Sequence, residues 1–215
     1  MKKVVPVLIG QSHYLINGKR YSRVSDVAGA GEKPWLEQWK QRVGTTEAER
    51  ISKETAEYGE LVHEITMYSD LHRYRKMEKM LEFHRELSDS LVAWETWVAN
   101  YIEKWILIEQ VVWSNRWMCA GRVDRVAIIK GDKWATIVDI KTGSLYDEIG
   151  IQIYGGYLPI YNEWRKGRKL PKATRALAVN LPRNNPGELT VKDYTKEKYI
   201  AEFESKVELF RSMNR

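Results

Sequence analysis

A change of hydrophobic pattern near the middle of the chain most constrains its fold. Three short segments rich in β-branched residues follow one another there: ILIEQVVW (106–113), CAGRVDRVAII (119–129) and WATIVDI (134–140). They are separated by Ser114-Asn115 and Gly131-Asp132, residue types that are typical of turns. The pattern predicts an antiparallel meander of three strands.

The segments after the meander extend the predicted sheet. A helical stretch at about 147–164 is followed by a further strand, ATRALAVNL (173–181), and by an amphipathic helix at about 195–213. A helix between two strands favours a right-handed crossover connection. We therefore predict an α/β fold whose mixed sheet, an antiparallel meander plus a strand reached by a crossover helix, is flanked by helices.

The first half of the chain is predicted to form a short hairpin followed by helices. Asn17-Gly18 lies between two alternating segments and is a strong hairpin signal, because both turn positions favour positive φ. We expect a single domain over 1–215. It would comprise a hairpin and short helix at 1–45, a helical region carrying His63 at 46–105, and the catalytic sheet with its flanking helices at 106–215.

Composition narrows the classes of function. The net charge of +6 and the pI near 9.2 favour a polyanionic partner, although many basic proteins bind no nucleic acid specifically. A single cysteine, Cys119, permits neither an intramolecular disulfide nor a Cys-rich metal site. No apolar stretch reaches the roughly 18 residues of a membrane span. We expect no membrane partner and a cytoplasmic location, in a bacterial or phage-infected host cell.

Two acids and a lysine form the main chemical constellation. Asp139 and Lys141 are two residues apart in a predicted strand, so their side chains point to the same face. A turn at Gly131 would bring the carboxylate of Asp124 beside that of Asp139. Carboxylates this close repel each other unless one is protonated or a cation lies between them. Mg²⁺ or Mn²⁺ would relieve the repulsion and polarise a phosphodiester, while Lys141 orients the nucleophile or offsets transition-state charge.

The competing interpretation is structural. An Asp and a Lys that alternate with Val138 and Ile140 are often a solvent-facing pair opposite a buried face. Two features argue against it here: Asp124 interrupts an otherwise apolar strand, and Thr142-Gly143 follows Lys141 directly.

The same motifs resemble a known family. GRVDRVAII (121–129) followed by IVDIKTG (137–143) resembles the PD-(D/E)XK nucleases, in particular the RecB-type exonuclease branch that includes phage exonucleases and the mitochondrial genome maintenance exonuclease. YGELVHEI (58–65) is similar to the Gly-x-x-x-His helix motif of that branch, and VSDVAGAGEKPWLEQW (24–39) to its N-terminal segment. The resemblance covers roughly residues 21–165 and implies a restriction-endonuclease-like core.

The resemblance also implies roles for single residues. Asp124 and Asp139 would bind the metal together with the backbone carbonyl of Ile140. Lys141 would be catalytic alongside the two aspartates, and His63 would be a further metal ligand. Asp139 stands where the family often has Glu, a replacement that this branch commonly carries.

Other positions in the same motifs have more than one possible role. Glu109 resembles a recurrent acidic residue of the branch, and it either supports a second metal position or forms a cross-strand salt bridge. The family helix after KTG carries Gln-x-x-x-Tyr, which faces the substrate. Gln152 fits this DNA-binding motif, but the fourth residue on is Gly156, and Tyr157 comes one position late. Gly155-Gly156 inside a predicted helix indicates close approach of another backbone or of DNA.

The chain has nine tryptophans, and aromatic rings can stack on unpaired bases. Most of them fall at helical spacing or in strands, which favours a place in the core. Trp35, Trp39 and Trp113 are the candidates for exposure.

Together these features predict a metal-dependent deoxyribonuclease, specifically a Mg²⁺- or Mn²⁺-dependent DNA exonuclease of recombination, repair or phage DNA processing. Its partners would be single- or double-stranded DNA with free ends, with a homo-oligomer or a recombination protein supplying any processivity. A structure-specific or restriction-like endonuclease on the same fold is the alternative among enzymes. A non-catalytic nucleic-acid-binding module is the alternative outside them, and the joint presence of both aspartates and the lysine argues against it.

Overall fold

The computed structural model describes residues 5–10 and 13–214, which form a mixed sheet with helices on both faces. The strands are β1 (Val7–Ile9), β2 (His13–Ile16), β3 (Lys19–Arg23), β4 (Ile102–Ser114), β5 (Cys119–Ile129), β6 (Ala135–Lys141), β7 (Ala173–Asn180) and β8 (Thr190–Asp193). The helices are α1 (Val24–Ala28), α2 (Pro34–Val43), α3 (Thr45–Asp70), α4 (Tyr74–Phe83), α5 (Ser88–Tyr101), α6 (Glu148–Gly150), α7 (Leu158–Trp164) and α8 (Lys198–Met213), with a 3₁₀ turn at Arg85–Leu87 and a π-helical segment at Ile151–Tyr157. Within the described ranges, none of these helices has both the length and the apolar character needed to cross a bilayer.

The strand order confirms the predicted fold class. Strands β4, β5 and β6 form the antiparallel meander. The chain then crosses through α6, the π-helical segment and α7, and returns as β7, which pairs in parallel with β6. The result is an open sheet of parallel and antiparallel strands flanked by helices.

The N-terminal strands attach to the same sheet. Asn17 and Gly18 both have positive φ, 51° and 75°, and they join β2 to β3 in an antiparallel hairpin. Strand β3 then runs parallel to the start of β5, with Ser22 opposite Cys119. Because β4 pairs along one edge of β5, strands β3 and β6 share the other edge.

The structure differs from the prediction at one strand boundary and by one additional strand. Helix α5 ends at Tyr101, so the first meander strand begins at Ile102 instead of residue 106, and Ile102 pairs with Ile129 at the far end of β5. Strand β8 was not predicted. Its four residues are mostly exposed, and only one of them is apolar. It is a strand because it pairs with β7, and its sequence shows no alternation of apolar and polar residues that would predict one.

Apolar clusters lie on both faces of the sheet. One includes Ile137 of β6 and Phe203 of α8. The other includes Val138 of β6, Val62 of α3 and Trp94 of α5. Residues 135–140 of β6 are therefore all buried, and the carboxylate of Asp139 lies in the interior of the protein.

The paired glycines of the crossover helix allow close contact with α8. A Cβ placed on Gly155 would lie 2.1 Å from the backbone oxygen of Tyr199, and one on Gly156 would lie 2.8 Å from a methyl carbon of Val24. Of the two explanations given by the sequence, a second protein backbone accounts for Gly155.

Substituting Gly155→Ala is expected to lower the free energy of unfolding by about 1–3 kcal/mol, because the helix must move away from α8. Gly143→Ala is the matched control, since its added Cβ has no neighbour within 4 Å. That variant should stay within about 1 kcal/mol of wild type. Urea unfolding of both variants provides the measurement, and equal midpoints would contradict the close packing.

Candidate metal centre

Pairing between β5 and β6 brings the two predicted aspartates into one site. Arg125 lies opposite Val138 in the antiparallel register, so Asp124 is close to the end of β6 that carries Asp139 and Lys141. The backbone N–H of Ile140 donates a hydrogen bond of 2.8 Å to Oδ2 of Asp124. The carboxylate of Asp124 is thus tied to the backbone between Asp139 and Lys141.

Asp139 and Lys141 form a close ion pair. Nζ of Lys141 lies 2.5 Å from Oδ2 of Asp139, which is only 3% exposed. Burial, reinforced by Asp124 and opposed by Lys141, raises the pKa of Asp139 to about 6. Burial lowers the pKa of Lys141, but the carboxylates of Asp139 and Asp124 outweigh it and hold this pKa above its ordinary value. The solvent-facing alternative is therefore wrong for Asp139, because both faces of β6 are covered over residues 135–140, whereas Lys141 at the end of the strand is partly exposed.

His63 completes a cluster of potential ligands with Glu109 and Asp124. Within the described residues, one ligand atom from each of these three side chains lies within 4.8 Å of the other two. Nδ1 of His63 is 3.7 Å from Oε1 of Glu109 and 3.7 Å from Oδ1 of Asp124. Burial lowers the pKa of His63, but the two carboxylates outweigh it and raise the pKa above its ordinary value. Asp139 lies beside this cluster and is paired with the ammonium group of Lys141.

Glu109 forms the cross-strand salt bridge that was one of the two interpretations of the sequence. It forms salt bridges to Arg122 Nε at 2.9 Å and to Arg125 Nη1 at 2.8 Å, both from the paired strand β5. The same carboxylate belongs to the cluster with His63. Its backbone has φ of +49°, which is uncommon for a residue other than glycine. Burial raises the pKa of Glu109, but His63 and the two arginines outweigh it, so the net shift is downward.

Arg125 holds this arrangement from the interior and was not singled out in the sequence. Its side chain is fully buried, and its Nε contacts Oδ2 of Asp70 at 2.6 Å while Nη1 contacts Glu109. Nη2 donates to Oγ1 of Thr66 at 3.3 Å, and the indole N–H of Trp94 donates to Oδ1 of Asp70 at 3.0 Å. The sequence did contain a signal for this role. Arg125 is the one charged residue among every second position of β5 counted from Cys119, and these positions lie on one face of the strand.

The π-helical segment explains the displaced tyrosine. Its backbone hydrogen bonds run from residue i to residue i+5, so five residues make roughly one turn and Gln152 and Tyr157 come to the same side. Burial, with the charges of Asp124 and Asp139, raises the pKa of Tyr157 well above its ordinary value. Tyr157 is buried, so it forms a wall of the site and is not an exposed contact.

Of the tryptophans singled out by spacing, Trp35 is exposed, whereas Trp39 and Trp113 are half-buried. The remaining predicted ligand is the backbone carbonyl of Ile140 on β6. The N–H of the same residue donates the hydrogen bond to Asp124. The structure thus gathers His63, Glu109 and Asp124 into one cluster and places Asp139, Lys141 and Tyr157 around it.

Neither a known protein family nor a curated protein matches this sequence. Among solved structures, the chain is similar to SSO0001, with 12% identity and a TM-score of 0.43, covering 95% of this chain and 79% of the other. It is also similar to a protein named "Putative exonuclease" from Eubacterium rectale, with 9% identity and a TM-score of 0.37. That match covers 69% of this chain and 64% of the other, which is slightly under two thirds of its length.

Proposed function

We propose that this protein is a divalent-metal-dependent DNA exonuclease of the PD-(D/E)XK type. The observation that carries the proposal is the convergence of His63, Glu109 and Asp124 beside the Asp139–Lys141 pair. These groups come from α3, β4, β5 and β6, and none of their side chains is more than 27% exposed. A merely structural ion pair does not require an imidazole and two carboxylates at one point.

The donor atoms fit a divalent cation. Carboxylate oxygens are the ligands that Mg²⁺ and Mn²⁺ prefer, and the imidazole of His63 favours Mn²⁺ of the two. Burial raises the pKa of Asp139, and the nearby negative charge of Asp124 adds to this shift while Lys141 opposes it. A cation held by His63, Glu109 and Asp124 would offset that charge, and Asp139 could join the ligands.

When bound, such a cation supplies Lewis-acid polarisation of the scissile phosphate. The protein's own groups then do the rest. Lys141 carries a positive charge beside Asp139, where it can orient the attacking water or offset charge on the phosphate. Glu109 is fixed by Arg125 and so keeps its orientation before any cation binds.

DNA as the substrate is supported by the net charge of +6 and by the resemblance of the KTG and Gly-x-x-x-His segments to nucleases that act at DNA ends. The requirement for an end distinguishes this proposal from an endonuclease on the same fold.

A comparison of linear with covalently closed circular DNA tests the reaction type. With Mn²⁺ present, we expect the protein to shorten linear DNA and to leave the circle intact. Cutting of the circle would instead indicate an endonuclease. Binding of both DNA forms without cleavage of either would indicate a non-catalytic module.

A further inference from the structure

Two exposed aromatic rings stack on each other beside the candidate metal centre. Trp35, in the first turn of α2, is 52% exposed, and Tyr146, in the loop after β6, is 54% exposed. Their ring centroids lie 5.8 Å apart and their planes differ by 28°. The pair joins segments more than a hundred residues apart in sequence, yet it leaves much of both rings in contact with solvent.

Helix α2 does not hold Trp35 as part of the core. None of the ten residues of α2, all of which the structure describes, is buried. Leu36 and Trp39, on the same helix, are half-buried, whereas Trp35 projects toward the loop that carries Tyr146.

The stacked pair is continuous with the metal centre on the side of Tyr146. This residue follows Lys141 by five positions, and its backbone oxygen accepts a hydrogen bond of 2.7 Å from the hydroxyl of Tyr194. Tyr194 is fully buried, and its backbone N–H donates a hydrogen bond of 2.9 Å to the carbonyl of Ala176 on β7, the strand that pairs with β6 and so lies next to Asp139.

A cleft also borders Trp35. It has a volume of about 380 Å³, and Trp35, Lys33 and Gln152 are among its lining residues. Gln152 lies on the π-helical segment that also carries Tyr157. The cleft therefore extends from Trp35 to the segment that forms a wall of the metal centre.

Charge in the cleft is balanced. Two lysines, Lys33 and Lys206, face two glutamates, Glu32 and Glu148, among the lining residues. Attraction of phosphates is thus weak at this point, and ring stacking is the stronger contribution that the cleft can make to binding.

We propose that Trp35 and Tyr146 form a stacking platform for an unpaired base next to the scissile phosphate, so that the substrate is single-stranded DNA. The proposal rests on the function proposed above. Bases in a duplex are already stacked and paired, whereas an unpaired base can place its π-face on an aromatic ring with little dependence on sequence. Duplex ends would be substrates only after fraying.

The test is equilibrium binding of a fluorescein-labelled oligothymidine of roughly a dozen nucleotides, measured by anisotropy in EDTA so that no cleavage occurs. Trp35→Ala and Tyr146→Ala are each expected to weaken binding about tenfold, and Trp35→Phe, which keeps an aromatic ring, should recover most of the affinity. Trp134→Ala is the matched control, because Trp134 is 48% exposed but lies at the turn between β5 and β6. It should bind like wild type.

An abasic site moved along the oligonucleotide identifies the stacked base. At one position, removing the base should weaken wild-type binding, and Trp35→Ala should then cause no further loss. Equal binding by the Trp35→Ala and Trp134→Ala variants, or a Trp35→Ala loss that is the same at every abasic position, would overturn the platform. The two proposals fail separately: a protein that shows this binding pattern but cleaves no DNA with Mn²⁺ has the platform without the nuclease activity.

Discussion

Replacing Asp124 with Asn is expected to slow cleavage of linear DNA about a thousandfold or more while the protein stays folded. The substitution removes the charge that the cation and the Lys141 ammonium interact with. The amide oxygen of Asn can still accept the hydrogen bond from the Ile140 N–H, so the pairing of β5 with β6 is retained. Lys141→Met should produce a loss of similar size, because no other ammonium is paired with Asp139 in the described residues.

Steady-state cleavage of linear DNA with Mn²⁺, with urea unfolding of each variant, provides the measurement. Asp132→Asn and Lys133→Met are matched controls, since both residues lie at the turn that joins β5 to β6, outside the site. Both should cleave like wild type. A folded Asp124→Asn variant with wild-type rates would place the chemistry elsewhere.

Replacing Arg125 with Leu is expected to lower the free energy of unfolding by about 3–5 kcal/mol. The guanidinium is fully buried and contacts both Asp70 and Glu109. Its removal leaves two carboxylates in the interior without their main counter-charge. Burial already raises the pKa of Asp70 despite the presence of Arg125, so the unpaired carboxylate would be strongly disfavoured as an anion.

Arg122→Leu is the control for this effect. Arg122 contacts the same glutamate at 2.9 Å, but its side chain is 60% exposed. Exposed pairs contribute about 0–1 kcal/mol, so this variant should unfold almost like wild type. Equal losses of stability in the two variants would show that burial of the network does not determine its strength.

Much of the sheet could be predicted because its rules are local. The period of two in WATIVDIK (134–141) predicted that Asp139 and Lys141 share a face, and the turn residues at Gly131 predicted that β5 pairs with β6. The GELVHE segment placed His63 on a helix, and tertiary packing then brings that helix over the sheet beside Glu109 and Asp124.

The remaining features depend on contacts or conformations that a local pattern does not encode. The positive φ of Glu109 and its two arginine partners arise from the pairing of β4 with β5. The π-helical hydrogen bonds that align Gln152 with Tyr157 cannot be read from a spacing that assumes 3.6 residues per turn. Strand β8 has almost no apolar side chains to signal it.

We propose that the cluster of His63, Glu109 and Asp124 holds a divalent metal and supports hydrolysis of DNA from its ends. The most direct measurement is the time course of release from linear DNA labelled at either terminus, in Mn²⁺, with EDTA added partway. We predict short labelled products from one or both termini, an immediate stop in EDTA, and resumption when excess Mn²⁺ is restored. Intact DNA in Mn²⁺, or release that continues unchanged in EDTA, would contradict the account.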